Sequence, residues 1–244
     1  MYSYINMEED GRMKRIAVVS DIHANKYALN AFLEYINKEK INTILNLGDF
    51  VQIGPHPDEV TQNILNDSRF INILGNNETS LFNISENNNS EEIKHRRWTK
   101  EQIKNQFELI KKIPTEKILK IENEKILMIH SRKNDIESMP LIYTENLDNF
   151  VDDYKEFETD IILLGHTHEK MYVEYNGKFI INPGSLGCSR TLSADFVILK
   201  LENRKIIECT FKSIEYDRKK LLNDFEKQDV PDKELFEKEF FKLV

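Results

Sequence analysis

The chain has 244 residues, 40% hydrophobic and 31% charged, with a net charge of −8. These proportions suit a soluble globular protein with one sizeable core, and no Pro/Gly/Ser-rich linker divides it. The acidic balance argues against a broad nucleic-acid surface; two cysteines without C-x-x-C spacing argue against a disulfide framework and fit a reducing cytoplasm; and no run reaches the roughly 18 apolar residues of a membrane span.

Residues 1–13 are polar and acidic, lack the apolar centre of a signal peptide, and are expected to form a disordered extension before a single domain spanning 14–244. The apolar run from Arg15 to Ser20 predicts a strand, and Lys26 to Lys38 a helix whose Ala28, Phe32, Leu33 and Ile36 share a face. With a second strand over Thr43 to Leu47 this makes a βαβ unit, for which parallel pairing is expected. Pro55-His56-Pro57 marks a loop, with His56 expected at its surface; Asp58 to Leu65 has helical spacing, Phe70 to Leu74 reads as a third strand, and Asn83 to Ser90 as a loop.

Helix follows up to Pro114, and Thr99-Lys-Glu-Gln102 has the form of a capping box that predicts a fresh start at Lys100. The basic run Lys94 to Arg97 before it reads as a solvated helix face, with a substrate lid as the sharper alternative. Glu116 to Ile121 and Lys125 to His130 predict a hairpin around Glu122-Asn123-Glu124, then a helix over 145–155 leads into a strand from Asp160 to Leu164. Asn176-Gly177 joins another hairpin, Met171 to Tyr175 with Lys178 to Ile181, and Asp195 to Leu201 pairs with Lys205 to Ile214 around Glu202-Asn203-Arg204. Amphipathic helices Asp217 to Lys227 and Asp232 to Leu243 close the chain, with Phe236, Phe240 and Phe241 offering a possible homo-oligomer contact and Trp98 expected in the core. Strands flanked by helices imply an α/β sandwich.

Five apolar runs end in side chains that can hold a metal: Asp21 and His23, Asp49, Asn76, His130, and the pair His166 and His168. Ligands collect at the carboxyl ends of strands in open sheets. Carboxylate, amide and imidazole together suit Mn2+, Fe, Zn2+ or Co2+, and seven candidates exceed the three or four protein ligands of one catalytic ion, so two ions are the simpler reading. Two such cations bind a phosphoryl group and turn a shared water into an attacking hydroxide without a protein nucleophile. No nucleophile signal competes, since Gly184-Ser185-Leu186-Gly187 is not Gly-x-Ser-x-Gly.

Asp-x-His, Gly-Asp, Gly-Asn-x-Glu, a strand-end His and Gly-His-x-His, in this order, resemble the calcineurin-like metallophosphoesterase superfamily, and within it the small bacterial and archaeal YfcE/MJ0936-type branch. The likeness covers about residues 14 to 215. It implies a four-layer αββα sandwich in which Asp21, His23 and His168 hold one divalent ion, Asn76, His130 and His166 a second, and Asp49 bridges them. Mn2+ is the expected ion in vitro, with Fe, Zn2+, Co2+ or Ni2+ as alternatives. Asp49, Asn76, Asn77 and His166 are then expected to act in catalysis. Arg190, soon after Pro183-Gly-Ser-Leu-Gly187, and Asn77 are expected to contact a small phosphorylated substrate, a phosphodiester or nucleotide.

Where the family pattern reads Gly-Asn-His-Asp/Glu, this chain has Gly75-Asn76-Asn77-Glu78, and His130-Ser131 stands for the common His-Gly. Asn77 donates a hydrogen bond but gives up no proton at neutral pH, which predicts a preference for acidic leaving groups. The resemblance leaves open a dinucleoside polyphosphate hydrolase, a Ser/Thr phosphatase-like enzyme, or a scaffold that kept the fold and lost turnover.

Overall fold

The computed structural model describes residues 5–7, 14–86, 88–121, 124–138, 146–202 and 205–241. Its strands are β1 (Ile5–Met7), β2 (Lys14–Val19), β3 (Ile44–Asn46), β4 (Phe70–Asn72), β5 (Glu116–Ile121), β6 (Glu124–Ile129), β7 (Ile161–Leu163), β8 (Lys170–Tyr175), β9 (Lys178–Pro183), β10 (Ala194–Glu202) and β11 (Lys205–Ile214). Its helices are α1 (Lys26–Lys38), α2 (Pro57–Asn66), α3 (Asn76–Ser80), α4 (Glu91–Gln102), α5 (Phe107–Ile110), α6 (Leu147–Asp153), α7 (Arg218–Lys227) and α8 (Lys233–Phe236). The expected turn residues Glu122, Asn123, Asn203 and Arg204, position 145 at the start of one predicted helix, and Lys242 and Leu243 lie outside the described residues.

Two sheets form the centre. One runs β11-β10-β2-β3-β4, the other β1-β5-β6-β7-β9-β8. The β2, β3 and β4 strands pair in parallel, as the βαβ reading requires, and so do β6, β7 and β9. Strand alternation explains the layers. On β2, Ala17 and Val19 face α1 and meet Ala28, Leu29, Phe32 and Ile36, while Ile16 and Val18 face the other sheet and meet Met128 and Leu163. On the far sheet the parity repeats: Ile126, Met128, Ile161 and Leu163 point inward, whereas Leu127, Ile129, Ile162 and Leu164 pack beneath Phe150 of α6, Tyr154 and Phe157. Each fully buried Ile, Leu or Phe contributes about 1.5–3 kcal/mol, so strands apolar on both sides are held from both sides. The result is the αββα sandwich.

Several local expectations change. Part of the 1–13 extension, expected to be disordered, is the strand β1, which pairs in parallel with β5 at the sheet edge; the rest of 1–13 lies outside the described residues. No helix begins at Lys100. Ser90 Oγ caps α4 by accepting from Ile93 N–H, and Thr99 lies inside that helix, buried with Ile93 and His95. Lys94 and Arg96 pair with Glu91 and Glu92, and Arg97 donates to the carbonyls of Ser85, Glu86 and Asn88, so the basic run is tied to its own helix and to the loop before it. His56 is buried, not a surface residue: its Nε2 lies 3.0 Å from Asp224 Oδ2 on α7. The final helix divides into α8 and a π-helical turn, Glu237–Phe241. Phe241 is fully buried beside Phe225, ring centroids 5.3 Å apart, and Phe236, Phe240 and Trp98 pack, partly buried, against the same cluster.

Candidate metal centre

The site lies where the carboxyl ends of β2, β3, β4, β6 and β7 meet at one edge of the sandwich. Local backbone bonds set the rim: Asp21 N–H donates to Gly48 O at 3.0 Å, His23 N–H to Asp49 O at 2.9 Å, and Gly165 N–H to His130 O at 2.9 Å. Asp21, His23, Asp49, His166 and His168 all have left-handed backbone, with φ between 47° and 69°. Non-glycine residues occupy that region at a cost of about 1–2 kcal/mol each, and five among seven ligand candidates mark a place where side-chain direction outranks backbone comfort.

All seven residues expected to bind metal converge. In one trio, His23 Nε2 and His168 Nε2 are 3.0 Å apart, and Asp21 Oδ1 lies 3.6 Å from the former and 3.3 Å from the latter. Nearby, His130 Nε2 lies 3.3 Å from Asp49 Oδ2, 3.1 Å from Asn76 Oδ1 and 3.3 Å from His166 Nδ1, which is itself 3.0 Å from Asn76 Oδ1. Asp21 Oδ1 to His130 Nε2, 4.0 Å, links the groups. Metal–nitrogen and metal–oxygen bonds of about 2.0–2.2 Å place adjacent ligands about 3.0–3.5 Å apart in octahedral or tetrahedral geometry, so both groups have the spacing of a coordination shell. Asp21 Oδ1 is buried and accepts no hydrogen bond, a costly state for a carboxylate oxygen unless a cation satisfies it. The donor set fits two divalent ions.

Supporting groups fix the donors. His130 Nδ1–H donates to Leu47 O at 2.7 Å, which aims Nε2 at the donor cluster, where a cation would replace its proton, and ties one sheet to the other. Asp21 Oδ2 accepts from His166 N–H at 3.0 Å. Asp49 Oδ1 accepts from Asn77 N–H at 2.9 Å, and its Oδ2 from the Asn77 side-chain amide. Behind Asp49, the buried Glu78 carboxylate accepts from Asp49 N–H at 2.8 Å, Phe50 N–H at 2.7 Å, Val51 N–H at 3.1 Å and Gly75 N–H at 2.8 Å. The sequence motif Gly75-Asn76-Asn77-Glu78 gives Glu78 no role of its own; its place three residues after Gly75 is the signal for it.

Electrostatics point the same way. Burial works against the Asp21 carboxylate, yet His168, His23 and His130 outweigh it and hold Asp21 well below the usual carboxylate range. Burial also works against charged His130, and Asp49 and Asp21 overcome it to push the imidazole up to about 10. Burial lowers His23 and His166, which favours their neutral, ligating form. The site attracts positive charge.

A cavity of about 720 Å³ opens above the ligands. Its floor includes His23, Asp49, Asn76, Asn77, His166 and His168, and its walls include Ile53, Cys188, Leu192 and Phe240, none of which sequence reading placed there. Arg190, expected to hold phosphate, reaches the rim, where it is 83% exposed and 3.6 Å from Glu169 Oε1.

Residues 13–204 match the model of the calcineurin-like phosphoesterase superfamily domain. The chain is 29% identical over 243 residues to the uncharacterised protein MJ0912 of Methanocaldococcus jannaschii, covering 89% of this chain and 94% of that one. Its fold is similar to that of a metallophosphoesterase from Sphaerobacter thermophilus, with a TM-score of 0.73, 22% identity, and coverage of 91% of this chain and 96% of the other. It is likewise similar to the hypothetical protein PH1004 of Pyrococcus horikoshii OT3, with a TM-score of 0.79, 18% identity, and coverage of 94% and 99%. With its ligand motifs gathered at one edge of an αββα sandwich and the family model spanning most of its length, this chain belongs to the calcineurin-like phosphoesterase superfamily.

Proposed function

We propose that this protein is a cytoplasmic phosphoesterase that uses two divalent ions to hydrolyse phosphodiesters or activated phosphomonoesters. The observation that carries the reading is the pair of adjoining donor clusters with 3.0–3.6 Å ligand spacings at the floor of one cavity. Asp21, His23 and His168 would hold one ion, and Asn76, His130 and His166 the other, with Asp49 shared. When bound, such ions supply Lewis acidity to the phosphoryl oxygens and lower the pKa of water for attack on phosphorus.

The chain's own groups do the rest. Asn77 steadies Asp49 and presents an amide toward the cavity, where it can donate a hydrogen bond to a phosphoryl or leaving oxygen but no proton. The leaving group must therefore depart largely unaided, which favours aryl phosphates and nucleotide anhydrides over alkyl monoesters. Arg190 supplies positive charge at the rim. Above the ligands the cavity is lined by apolar Ile53, Cys188, Leu192 and Phe240 together with charged Arg190, Lys238 and Glu239.

Asn77 also favours a second reading, a scaffold with little turnover. One experiment separates the two: metal analysis of the purified protein combined with hydrolysis of bis-p-nitrophenyl phosphate and p-nitrophenyl phosphate in Mn2+. Two ions per chain with turnover that chelator abolishes is the expected result. Failure to bind ions and to cleave either ester would leave the scaffold.

A further inference from the structure

The C-terminal turn supplies a wall that the ligand motifs do not predict. Glu237–Phe241 winds as a π-helical turn, a geometry found often at functional sites. Within it, Phe241 points into the core against Phe225, whereas its neighbour Phe240 lies half-buried at the cavity with its ring 5.9 Å from that of His168. The turn is well anchored. Asp224, adjacent to Phe225 on α7, accepts from Tyr27 Oη at 2.6 Å and lies 3.0 Å from His56 Nε2, so the helix carrying Phe225 is tied to the loop beside the site.

The cavity is far larger than a phosphoryl group needs, and it is two-faced. Its floor is polar, and above it Ile53, Cys188, Leu192 and Phe240 make an apolar wall beside a charged rim of Arg190, Lys238 and Glu239. A substrate that fills it combines an anionic head with a flat apolar body. An aromatic ring held in place beside the metal ligands is suited to receive such a body by stacking, and because the ring is already positioned, little ordering cost falls on binding.

We infer that Phe240 is a specificity-determining residue, the platform on which a planar aromatic group of the phosphate ester rests while its phosphoryl group sits over the metal ligands. This rests on the phosphoesterase reading. It names the substrate class: esters whose organic part is an aryl ring or a nucleobase.

The test compares two probes on the Mn2+-loaded full chain by calorimetry, phenylphosphonate and methylphosphonate, which share the head group and differ in the ring. Wild type is expected to bind phenylphosphonate about fivefold or more tightly than methylphosphonate, the low end of what base–aromatic stacking supplies. Phe240→Ala should bring that ratio close to one, and Phe240→Tyr should keep it. Should Ala loosen the turn, Phe240→Leu preserves apolar bulk and is still expected to lose most of the preference. Two probes that bind equally to wild type, or a ratio unchanged in both Ala and Leu variants, would overturn the platform and leave the metal site standing. Binding of neither probe would remove both.

Discussion

Asn77 grips Asp49 with two hydrogen bonds, its backbone N–H reaching Oδ1 at 2.9 Å and its side-chain amide reaching Oδ2. The residue that departs from the family pattern is therefore an orienting group for a metal-ligand candidate, placed beside the cavity with no proton to give. Replacing it by histidine restores a group that can protonate a leaving oxygen. Asn77→His is expected to raise kcat/KM for glycerol phosphate relative to p-nitrophenyl phosphate by about 100-fold, the low end of what a general acid supplies. Equal efficiencies on the two esters in wild type would show that leaving-group acidity does not limit this enzyme.

The donor clusters make separable predictions for metal content. His168→Ala removes one corner of the Asp21, His23, His168 trio and should lower bound metal from two ions per chain to about one, with the loss confined to that trio. His166→Ala should do the same at the Asp49, His130 group. Elemental analysis after gel filtration measures both; a variant that keeps two ions does not contain a ligand at the altered position.

Gly75 has no room for a side chain. A Cβ there would stand 2.0 Å from Asp49 Oδ1 and 2.8 Å from its Cγ. Gly75→Ala should displace the Asp49 carboxylate and, through a 2.8 Å approach to Asp49 N, its backbone as well, and a misplacement of about 1 Å costs about 10²-fold in rate. A melting temperature near that of wild type together with undiminished turnover would mean that the carboxylate position is not critical.

His95 supplies a pH dependence away from the metal ligands. Its Nε2 accepts from Ile53 N–H at 2.9 Å, and burial lowers its pKa to about 4 from the usual 6.5. A depressed imidazole stabilises the fold in its neutral form. That stability is present above the unfolded pKa and is lost as pH falls toward the folded one, because the unfolded chain takes up a proton that the folded chain refuses. Between pH 7 and pH 5 the loss is about 2 kcal/mol. Urea unfolding of metal-free wild type and His95→Gln at both pH values isolates it: wild type should lose about 2 kcal/mol more than the variant. Identical pH slopes would assign the effect elsewhere.

Arg190 is exposed and faces Glu169, so its contribution to anion binding is modest. Arg190→Ala is expected to raise KM about two- to fivefold with kcat nearly unchanged, the pattern of lost uniform binding. An unaltered KM would remove it from the site.

The residue order alone carried the five ligand motifs and the strands that deliver them, because both signals are local. An apolar run such as Ile161–Leu164 states its own burial, and a glycine with a polar residue after it states where the strand stops. Local rules also misled. Thr99 and Gln102 match a capping pattern, yet Ser90 had already started that helix, and the burial of Ile93, His95 and Thr99 carries it through. His56 looked like loop surface because its partner, Asp224, lies 168 residues further on. Glu78 shows its four backbone donors only after α3 has been folded against the loop of Asp49. Sequence by itself determined which side chains stand at the strand ends, because strand period and termination follow from neighbouring residues. Only the tertiary structure decided which donor atoms meet within about 3 Å and that the Phe240 ring stands 5.9 Å from that of His168, because those contacts depend on how two sheets and the final helices pack across the whole length of the chain.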